Sequence, residues 1–270
     1  LTGKDWTPIG TDYDNSYTGT FDGGGHTITG LTVTTNDEYA GLFGYLGNFN
    51  NGAATVKNVV MDGIQITCNH RSGYAGGVAG YSWGTIENCS VSGSVSGTVY
   101  VGGVVGVQIG GSITGCSSSA TVKGTVDVGG VAGQTNSSAT LTACYATGNV
   151  TIEIAPKKNI AGGGLVGMNA GSSLLACYAT GNVTSTGSST GYVHIGGFLG
   201  DNYITVTACY WKNNHEQGIS YNRGSTNVTK VDGTGVTWKN AVDAMNTALQ
   251  NAGSKWRYEL NGALPTLRKQ

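Results

Sequence analysis

The chain contains little proline, little charge and no long apolar run. Three of its 270 residues are proline, 11% are charged, and the formal net charge is −1. Without a cluster of Lys and Arg, neither nucleic acid nor an anionic membrane surface is expected as a partner, because phosphate neutralisation requires concentrated basic side chains. No apolar run approaches the roughly 18 residues that a transmembrane helix needs. Because the chain starts without a basic and hydrophobic leader, we expect Leu1 to follow a processed or trimmed end.

Glycine, in contrast, is abundant, with 47 residues, and Thr, Ser, Val and Asn are also frequent. This composition is neither collagen-like nor typical of a helical protein, and it predicts many short strands joined by tight turns. A chain of 270 residues can bury a sizeable core in one large domain or two small ones.

An internal repeat organises most of the chain. The heptapeptide CYATGNV occurs at 144–150 and again at 177–183. Related segments surround five cysteines, and a glycine block precedes each cysteine by 13 to 15 residues, with a period of about 26 to 34 residues. Two weaker copies upstream add Val59 and Leu31 to the cysteine column, which gives about seven units. The column then reads Leu31, Val59, Cys89, Cys116, Cys144, Cys177 and Cys209.

The cysteines are predicted to be free and buried. Five of the 6 cysteines alternate with Leu and Val at one repeat position, as small buried hydrophobic residues do, and Cys68 lies outside the register. In stacked parallel strands, neighbouring members of a column lie about 4.8 Å apart with parallel Cα–Cβ vectors, which is a poor geometry for a disulfide. A redox or metal site is not indicated, because the chain lacks a CxxC or Cys/His spacing.

Alternating side chains predict strands within each repeat. Apolar residues flank a variable one before each glycine block, as in Val99-Tyr100-Val101. After each cysteine an inward residue lies between two outward ones, as in Ser90-Val91-Ser92. When these positions recur in register from repeat to repeat, they are typical of stacked coils, each of which buries its inner face against the next. We therefore predict an all-β fold, a parallel β-helix of about seven coils that is right-handed by default. Each coil carries a further inward apolar group: Ile86, Ile113, Leu141, Leu174 or Val206.

The two ends of the chain depart from the repeat. Residues 1–236 are predicted to form the β-helix domain, including an N-terminal cap around WTPIG. Residues 237–270 are predicted to form a C-terminal cap, because 240–253 has apolar residues at helical spacing and 256–260 alternates before an Asn-Gly turn. We expect this helix and ribbon to form a lid over the last coil, whose edge is otherwise open. The polar residues 212–236 are predicted to form a loop.

The glycine blocks GLFG, GGVAG, GGVVG, GGLVG and GGFLG, each followed by CYATGxV or a relative, resemble the GLUG repeat family. The resemblance covers roughly residues 6–210, and the closing LPTL is also similar to the segment that comes after such arrays. It implies a cell-surface or secreted bacterial protein, since family members are mostly large surface or secreted proteins of bacteria, often from Gram-negative gut anaerobes, and are described as candidate adhesins. The repeat also occurs beside the catalytic domain of IgA-cleaving zinc proteases.

A protease of that type requires a His-Glu-x-x-His zinc motif. His215 and Glu216 begin such a motif, but Ile219 occupies the position of the second ligand, within a glycine-rich stretch. We interpret this match as a coincidence.

A polysaccharide-cleaving β-helix is the other enzymatic alternative. Such enzymes need clustered carboxylates on adjacent coils, for Ca²⁺ or for acid catalysis. The carboxylates of this chain occupy different repeat positions and its histidines are scattered, so we predict no catalytic residue, no metal and no cofactor. Loss of polyuronide turnover on changing Asp127 or His194 would favour the enzyme.

The residue after each cysteine forms the best candidate surface. Tyr145, Tyr178 and Tyr210 are predicted to stack outward and to offer flat amphipathic faces for ligand binding. Alternatively, they shield the sheet by stacking on each other, or lie under the longer corners at 151–162 and 184–192. A second outward column, before the glycine block, is mixed in character: Glu38, Tyr74, Tyr100, Asp127 and His194.

The sequence thus predicts a non-catalytic, adhesin-like binding module, extracellular or on the outer cell surface, and monomeric. Its expected partner is a carbohydrate or a host or matrix protein. The alternative is a stalk that holds another domain away from the cell.

Overall fold

The repeated segments form coils of a parallel β-solenoid, in which each strand pairs with the strand one repeat later. Ile86, for example, pairs with Ile113 of the next coil, and Ile113 pairs with Leu141. The structure, a computed structural model, describes residues 5–50 and 52–270. Six turns pass through both sheets, and the strands of 206–230 continue the long sheet beyond them, so the predicted parallel β-solenoid is confirmed. Its handedness stays a prediction.

The strands belong to one long sheet that bends around the coil and to a six-stranded sheet. The strands of the six-stranded sheet are Tyr39–Ala40, Tyr74–Gly76, Tyr100–Gly102, Asp127–Gly129, Ile160–Gly163 and Val193–Gly196. The strands of the long sheet are Thr20–Asp22, Thr27–Thr29, Thr32–Thr35, Phe43–Leu46, Thr55–Lys57, Val60–Cys68, Ala79–Ser82, Thr85–Glu87, Ser90–Ser96, Val105–Thr114, Ser117–Ser118, Thr121–Gly124, Ala132–Thr142, Tyr145–Ala146, Val150–Ile154, Val166–Asn169, Ser173–Leu175, Tyr178–Ala179, Val183–Gly187, Leu199–Asn202, Val206–Trp211, Ile219–Asn222 and Thr226–Lys230.

The core is a stack of apolar columns that run along the solenoid. The predicted column of Ile86, Ile113, Leu141, Leu174 and Val206 is buried throughout. The assignment of Leu31 to the cysteine column is wrong. Thr32 pairs with Gln65, so Leu31 lies beside Ile64 and packs with the strand after the cysteine position.

All 6 cysteines are free and buried, as predicted for the repeat column. Cys68, outside that column, is also buried. The Sγ atom of Cys177 accepts a hydrogen bond from the backbone N–H of Cys144 at 3.4 Å. Burial raises the pKa of the Cys116, Cys144 and Cys177 thiols well above their usual range. The column therefore packs as a ladder of inert thiols.

The paired glycines turn the chain sharply between the two sheets. At Gly163 a Cβ atom would lie 2.1 Å from the carbonyl oxygen of Val166 and 2.7 Å from that of Phe198 in the next coil. Because both contacts are with backbone, the corner can close only around glycine.

Residues 212–236 contain two strands rather than a continuous loop. Ile219–Asn222 pairs with Leu199–Asn202, and Thr226–Lys230 pairs with Val206–Trp211. The sequence prediction is wrong here because a coil at the end of the stack has an adjacent coil on one side only. Its strands are held by backbone pairing and show little apolar alternation.

The described part of the chain contains a single helix, Trp238–Asn251. Thr237 accepts a hydrogen bond from the Asn240 backbone N–H, and Asn240 accepts one from the Thr237 N–H, which satisfies two free donors of the first turn. The helix is followed by an antiparallel ribbon of Trp256–Glu259 and Thr266–Lys269.

This helix and ribbon, here called the C-terminal strap (237–270), lie along the side of the solenoid. The strap does not form the predicted lid over the last coil. The helix packs on Ser173–Leu175 and Val206–Trp211, and Lys269 reaches Glu87 with Nζ 2.6 Å from Oε1. The physical reason is that the tyrosines that follow the cysteines offer an outward aromatic surface on the side of the stack, and the apolar face of the helix packs against it.

At the other end, residues 5–17 cover the first coil through single bridges, such as Ile9 with Phe43 and Tyr17 with Leu46. The predicted N-terminal cap includes residues 1–4, which lie outside the described residues. The division of the chain at residue 236 stays a prediction. Within the described ranges, no helix is both long and apolar enough to cross a membrane.

Candidate functional site

The residues that follow the cysteines form one continuous column on the long sheet, as predicted. Strand pairing aligns each member with the next along the solenoid. This post-cysteine column consists of Thr27, Val60, Ser90, Ser117, Tyr145, Tyr178, Tyr210 and Thr229. Its members change from small polar residues in the early coils to tyrosines in the later coils.

The tyrosine half of the column is covered by the C-terminal strap. Tyr178 is fully buried, and its ring stacks on Tyr145 at a centroid distance of 4.8 Å and meets the Trp238 ring edge-on at 5.1 Å. The Tyr178 hydroxyl donates a hydrogen bond to the carbonyl oxygen of Pro265 at 2.5 Å. Burial raises the pKa of Tyr178 above its usual range. Tyr178 therefore acts as an anchor for the strap.

Tyr210 is also buried, at 6% exposure, and Tyr145 is partly exposed. The prediction that all three tyrosines are exposed is thus wrong for Tyr178 and Tyr210. The rings do stack, but the cover is the strap and not the corners at 151–162 and 184–192. A role of Tyr145, Tyr178 and Tyr210 in ligand binding stays a prediction, and Tyr145 is the member that a ligand can reach in this structure.

The polar half of the column is open and forms a shallow groove of ≈ 430 Å³, here called the serine groove. A smaller hollow of ≈ 150 Å³ adjoins it and shares Ser90, Ser117 and Tyr145. The groove is lined by Thr27, Val60, Met61, Asp62, Ser90, Val91, Ser92, Ser117, Ser119, Tyr145 and Thr147. None of these lining residues belongs to the strap, so the serine groove occupies the part of the column that the strap leaves uncovered.

The strap supplies one wall of this hollow through Trp256 and Leu267. Trp256 lies directly over Gly115, where a Cβ atom would come within 2.2 Å of the indole ring. Gly115 also has a φ of +64°, a conformation that favours glycine. Sequence reasoning missed this wall, because Trp256 and Gly115 are far apart in the chain and neither belongs to a motif.

The groove combines free hydroxyls with aromatic edges. Ser92 donates to the Asp62 carboxylate at 2.7 Å, so both of these groups are already engaged. In contrast, the hydroxyls of Ser90, Ser117 and Tyr145 form no hydrogen bond with the described residues. These hydroxyls can exchange hydrogen bonds with a bound molecule, while the Tyr145 and Trp256 rings offer apolar contact.

The second outward column differs from the sequence prediction at two positions. Tyr39, not Glu38, pairs with Tyr74, and Ala161 lies between Asp127 and His194. The order along the six-stranded sheet is Tyr39, Tyr74, Tyr100, Asp127, Ala161 and His194. His194 also meets Asp201 across the glycine corner, a contact that the repeat register did not predict.

The partial zinc-protease motif is held by structural contacts. His215 Nε2 lies 3.0 Å from the carbonyl oxygen of Val183, and Glu216 forms an ion pair with Lys230 at 2.8 Å. Ile219 starts a strand at the position of the missing ligand. Across residues 5–50 and 52–270, no three His, Cys, Asp or Glu side chains are grouped so that they could hold a metal ion.

Comparison with known proteins supports the repeat assignment. The family model "The GLUG motif" matches residues 72–96 and 97–123. These two matches span two consecutive coils, and the predicted resemblance is confirmed there.

Two relatives share part of the chain. Halomucin from Haloquadratum walsbyi is 42% identical over 105 residues, which is 38% of this chain and 1% of halomucin. A protein of Evansella cellulosilytica named "Putative Gly-rich membrane protein" is 38% identical over 90 residues, 33% of this chain and 10% of that protein. The chain thus spans a small fraction of the length of these relatives.

A solved structure shares the fold over nearly the whole chain. It is the crystal structure described as a "putative immunoglobulin A1 protease" from Bacteroides ovatus, with a TM-score of 0.72. The match covers 98% of this chain and 81% of the other, at 20% sequence identity, and so shows the fold alone.

Proposed function

We propose that this GLUG-repeat β-solenoid is a non-catalytic binding module of a bacterial surface or secreted protein, with an adhesin-like function. The observation that carries the proposal is the serine groove, whose free hydroxyls lie beside the Tyr145 ring and next to a hollow that Trp256 lines. The names of halomucin and of the Gly-rich membrane protein support an extracellular or surface location and describe no enzymatic activity.

The groove suits an extended, hydroxyl-rich ligand such as a glycan chain, or a loop of a host or matrix protein. Ser90, Ser117 and Tyr145 lie on consecutive coils about 4.8 Å apart, so a linear ligand along the solenoid axis meets one hydroxyl per coil. The partly exposed ring of Tyr145 supplies contact area at low entropic cost. The groove is shallow, so we expect modest affinity that many copies of such a module would raise by avidity.

The test replaces Ser117 with tyrosine. The new ring stacks beside Tyr145 in the same column, so the strand tolerates it and the ring fills the groove. In a screen of glycans and matrix proteins, we expect the wild type to bind a specific ligand and S117Y to bind it roughly tenfold or more weakly.

Thr184→Tyr is the matched control, because Thr184 is exposed on a strand of the same sheet, outside the groove and away from the strands on which the strap helix packs. The proposal is rejected if T184Y loses as much binding as S117Y, or if S117Y binds like the wild type. Substituting all three tyrosines would not be informative, because Tyr178 and Tyr210 hold the strap and their loss would disturb folding.

A stalk is the second candidate, and the uninterrupted stack of about six turns favours it. A solenoid of parallel coils is a stiff rod, which would hold a neighbouring domain at a fixed distance. A stalk has no ligand to lose, so absence of any binding by folded wild-type protein would favour it over the adhesin.

A further inference from the structure

The last coil of the solenoid ends in two open sheet edges. Ile219–Asn222 pairs with Leu199–Asn202, and Thr226–Lys230 pairs with Val206–Trp211. No described strand pairs with the other edge of either terminal strand. The chain then leaves the stack, and Val231 is already buried against the strap. Backbone N–H and C=O groups along the two terminal strands are therefore available to another chain.

An apolar hollow of ≈ 340 Å³, lined in part by Trp211, opens at this end of the stack. Ile219 lines the hollow and continues the column of Leu199. Val228 also lines it and continues the cysteine column from Cys209. Leu199 and Cys209 are fully buried, whereas Ile219 and Val228 are partly exposed. Two core columns thus end in apolar side chains that the described chain leaves without a further coil over them.

A ladder of asparagines gives this end a direction. Asn169 Nδ2 donates to Oδ1 of Asn202 at 2.8 Å and to the carbonyl oxygen of Ser172, in its own coil, at 2.9 Å. Asn202 Nδ2 donates in the same way to Oδ1 of Asn222 and to the carbonyl oxygen of Ile204, both at 2.8 Å. Each amide group therefore uses one hydrogen within its own coil and the other toward the next coil.

Asn222 is the exposed last member of this ladder. Its Nδ2 donates to the carbonyl oxygen of Gly224 at 3.1 Å, and its Oδ1 accepts from Asn202 and from the Gly224 N–H. Its second amide hydrogen has no acceptor among residues 5–50 and 52–270. The end of the solenoid thus presents a side-chain donor, which matches an acceptor on a chain laid over it.

A second copy of this chain does not supply that acceptor. Two last coils in contact would bring Asn222 donors face to face. The first coil carries Leu46 in this column, and Tyr17 already bridges to it. The matching surface therefore belongs to a different chain.

We propose that the open end binds a strand pair of another polypeptide, built like a coil of this repeat. One strand of the partner carries an apolar residue and, three positions later, an asparagine, as in VGMN at 166–169 and LGDN at 199–202. The asparagine oxygen accepts from Asn222, the apolar side chains cover the hollow, and the backbone pairs with the free edges. The serine groove is a separate surface, so either proposal can fail without the other.

The test uses a fluorescent peptide with the sequence of residues 165–180 and Cys177→Val. This segment forms both required strands in its own coil. Fluorescence anisotropy measures its binding to the whole chain, and we expect saturable binding to the wild type. The same peptide with Asn169→Leu keeps a side chain of similar size without the acceptor, and it should bind roughly three- to tenfold more weakly.

Two substitutions in the protein test the same surface. Val228→Lys places a charge in the apolar hollow and should weaken binding of the peptide by more than about tenfold. Asn222→Leu removes the donor and should weaken binding roughly three- to tenfold. Because Asn222 is exposed at the end of the stack, N222L tests the site even if V228K fails to fold.

Thr184→Lys is the matched control, because it adds the same charge at an exposed position of the long sheet, outside the last coil. The proposal is overturned if the wild type does not bind the peptide at concentrations up to about 1 mM. It is also overturned if the Asn169→Leu peptide binds equally well, if folded V228K binds like the wild type, or if T184K loses as much binding as V228K. Sedimentation should show a monomer, and a dimer that V228K dissociates would contradict the choice of partner.

Discussion

Replacing Tyr178 with alanine is expected to lower the free energy of unfolding by about 3–5 kcal/mol, as for other large buried aromatic residues. The substitution removes the stacking on Tyr145, the edge contact with Trp238 and the hydrogen bond to Pro265. It also opens a cavity between the solenoid and the C-terminal strap. Urea unfolding, followed by circular dichroism and by tryptophan fluorescence, measures the effect.

Tyr178→Phe is the matched control, because it keeps the ring and loses the hydroxyl. Its cost should be about 1–3 kcal/mol, the cost of leaving the carbonyl of Pro265 without this donor. If Y178A unfolds at the same urea concentration as the wild type, the strap is not packed on the tyrosines.

Gly163→Ala is expected to destabilise the solenoid by about 3 kcal/mol, at the upper end of the usual cost of overpacking. The new Cβ atom would lie 2.1 Å from the carbonyl oxygen of Val166 and 2.7 Å from that of Phe198. Because both neighbours are backbone atoms, one in the same corner and one in the next coil, relief requires opening the corner as well as separating the coils. The measurement is the midpoint of thermal or urea unfolding.

Gly262→Ala serves as the comparison for this substitution. A Cβ atom at Gly262, in the turn of the ribbon, meets nothing within 4 Å. Its midpoint should equal that of the wild type. Equal midpoints for G163A and the wild type would show that the glycine corners are not closely packed.

The repeat register made most of the solenoid predictable. A cysteine, an inward residue two positions later and a glycine block recur together, so one misassigned repeat is corrected by its neighbours. The assignment failed at Leu31, where the first coil has neither cysteine nor a full glycine block. The assignment failed again at 219–230. The strands of this terminal coil are held by backbone pairing, and their side chains show little of the apolar alternation from which strands are predicted.

The position of the strap could not be predicted from the sequence. The spacing of Val242, Met245 and Leu249 shows that the helix has an apolar face, and all three are buried. That spacing does not say which surface the face covers. Tyr178 and Ser90 occupy the same column, so the repeat alone predicts equal exposure, and the difference arises from a segment about 60 residues further along the chain.

The contact between His194 and Asp201 escaped prediction for a related reason. The two residues occupy different repeat positions, on opposite sides of a glycine corner. The corner folds those positions toward each other, so residues from different columns become neighbours. Distances between columns depend on the corner geometry, which the one-dimensional repeat does not specify.

The most direct test of the strap's position is a zero-length carbodiimide cross-link between the strap and the third coil. Lys269 Nζ lies 2.6 Å from Glu87 Oε1, a contact between residues 182 positions apart that exists only if the strap covers the tyrosines and borders the serine groove. Lys230 and Glu216, at 2.8 Å, provide an internal positive control. We predict that mass spectrometry of dilute, cross-linked protein finds both the Glu87–Lys269 and the Glu216–Lys230 peptides. Finding the Glu216–Lys230 peptide without the Glu87–Lys269 peptide would contradict the position of the strap and the groove that it borders.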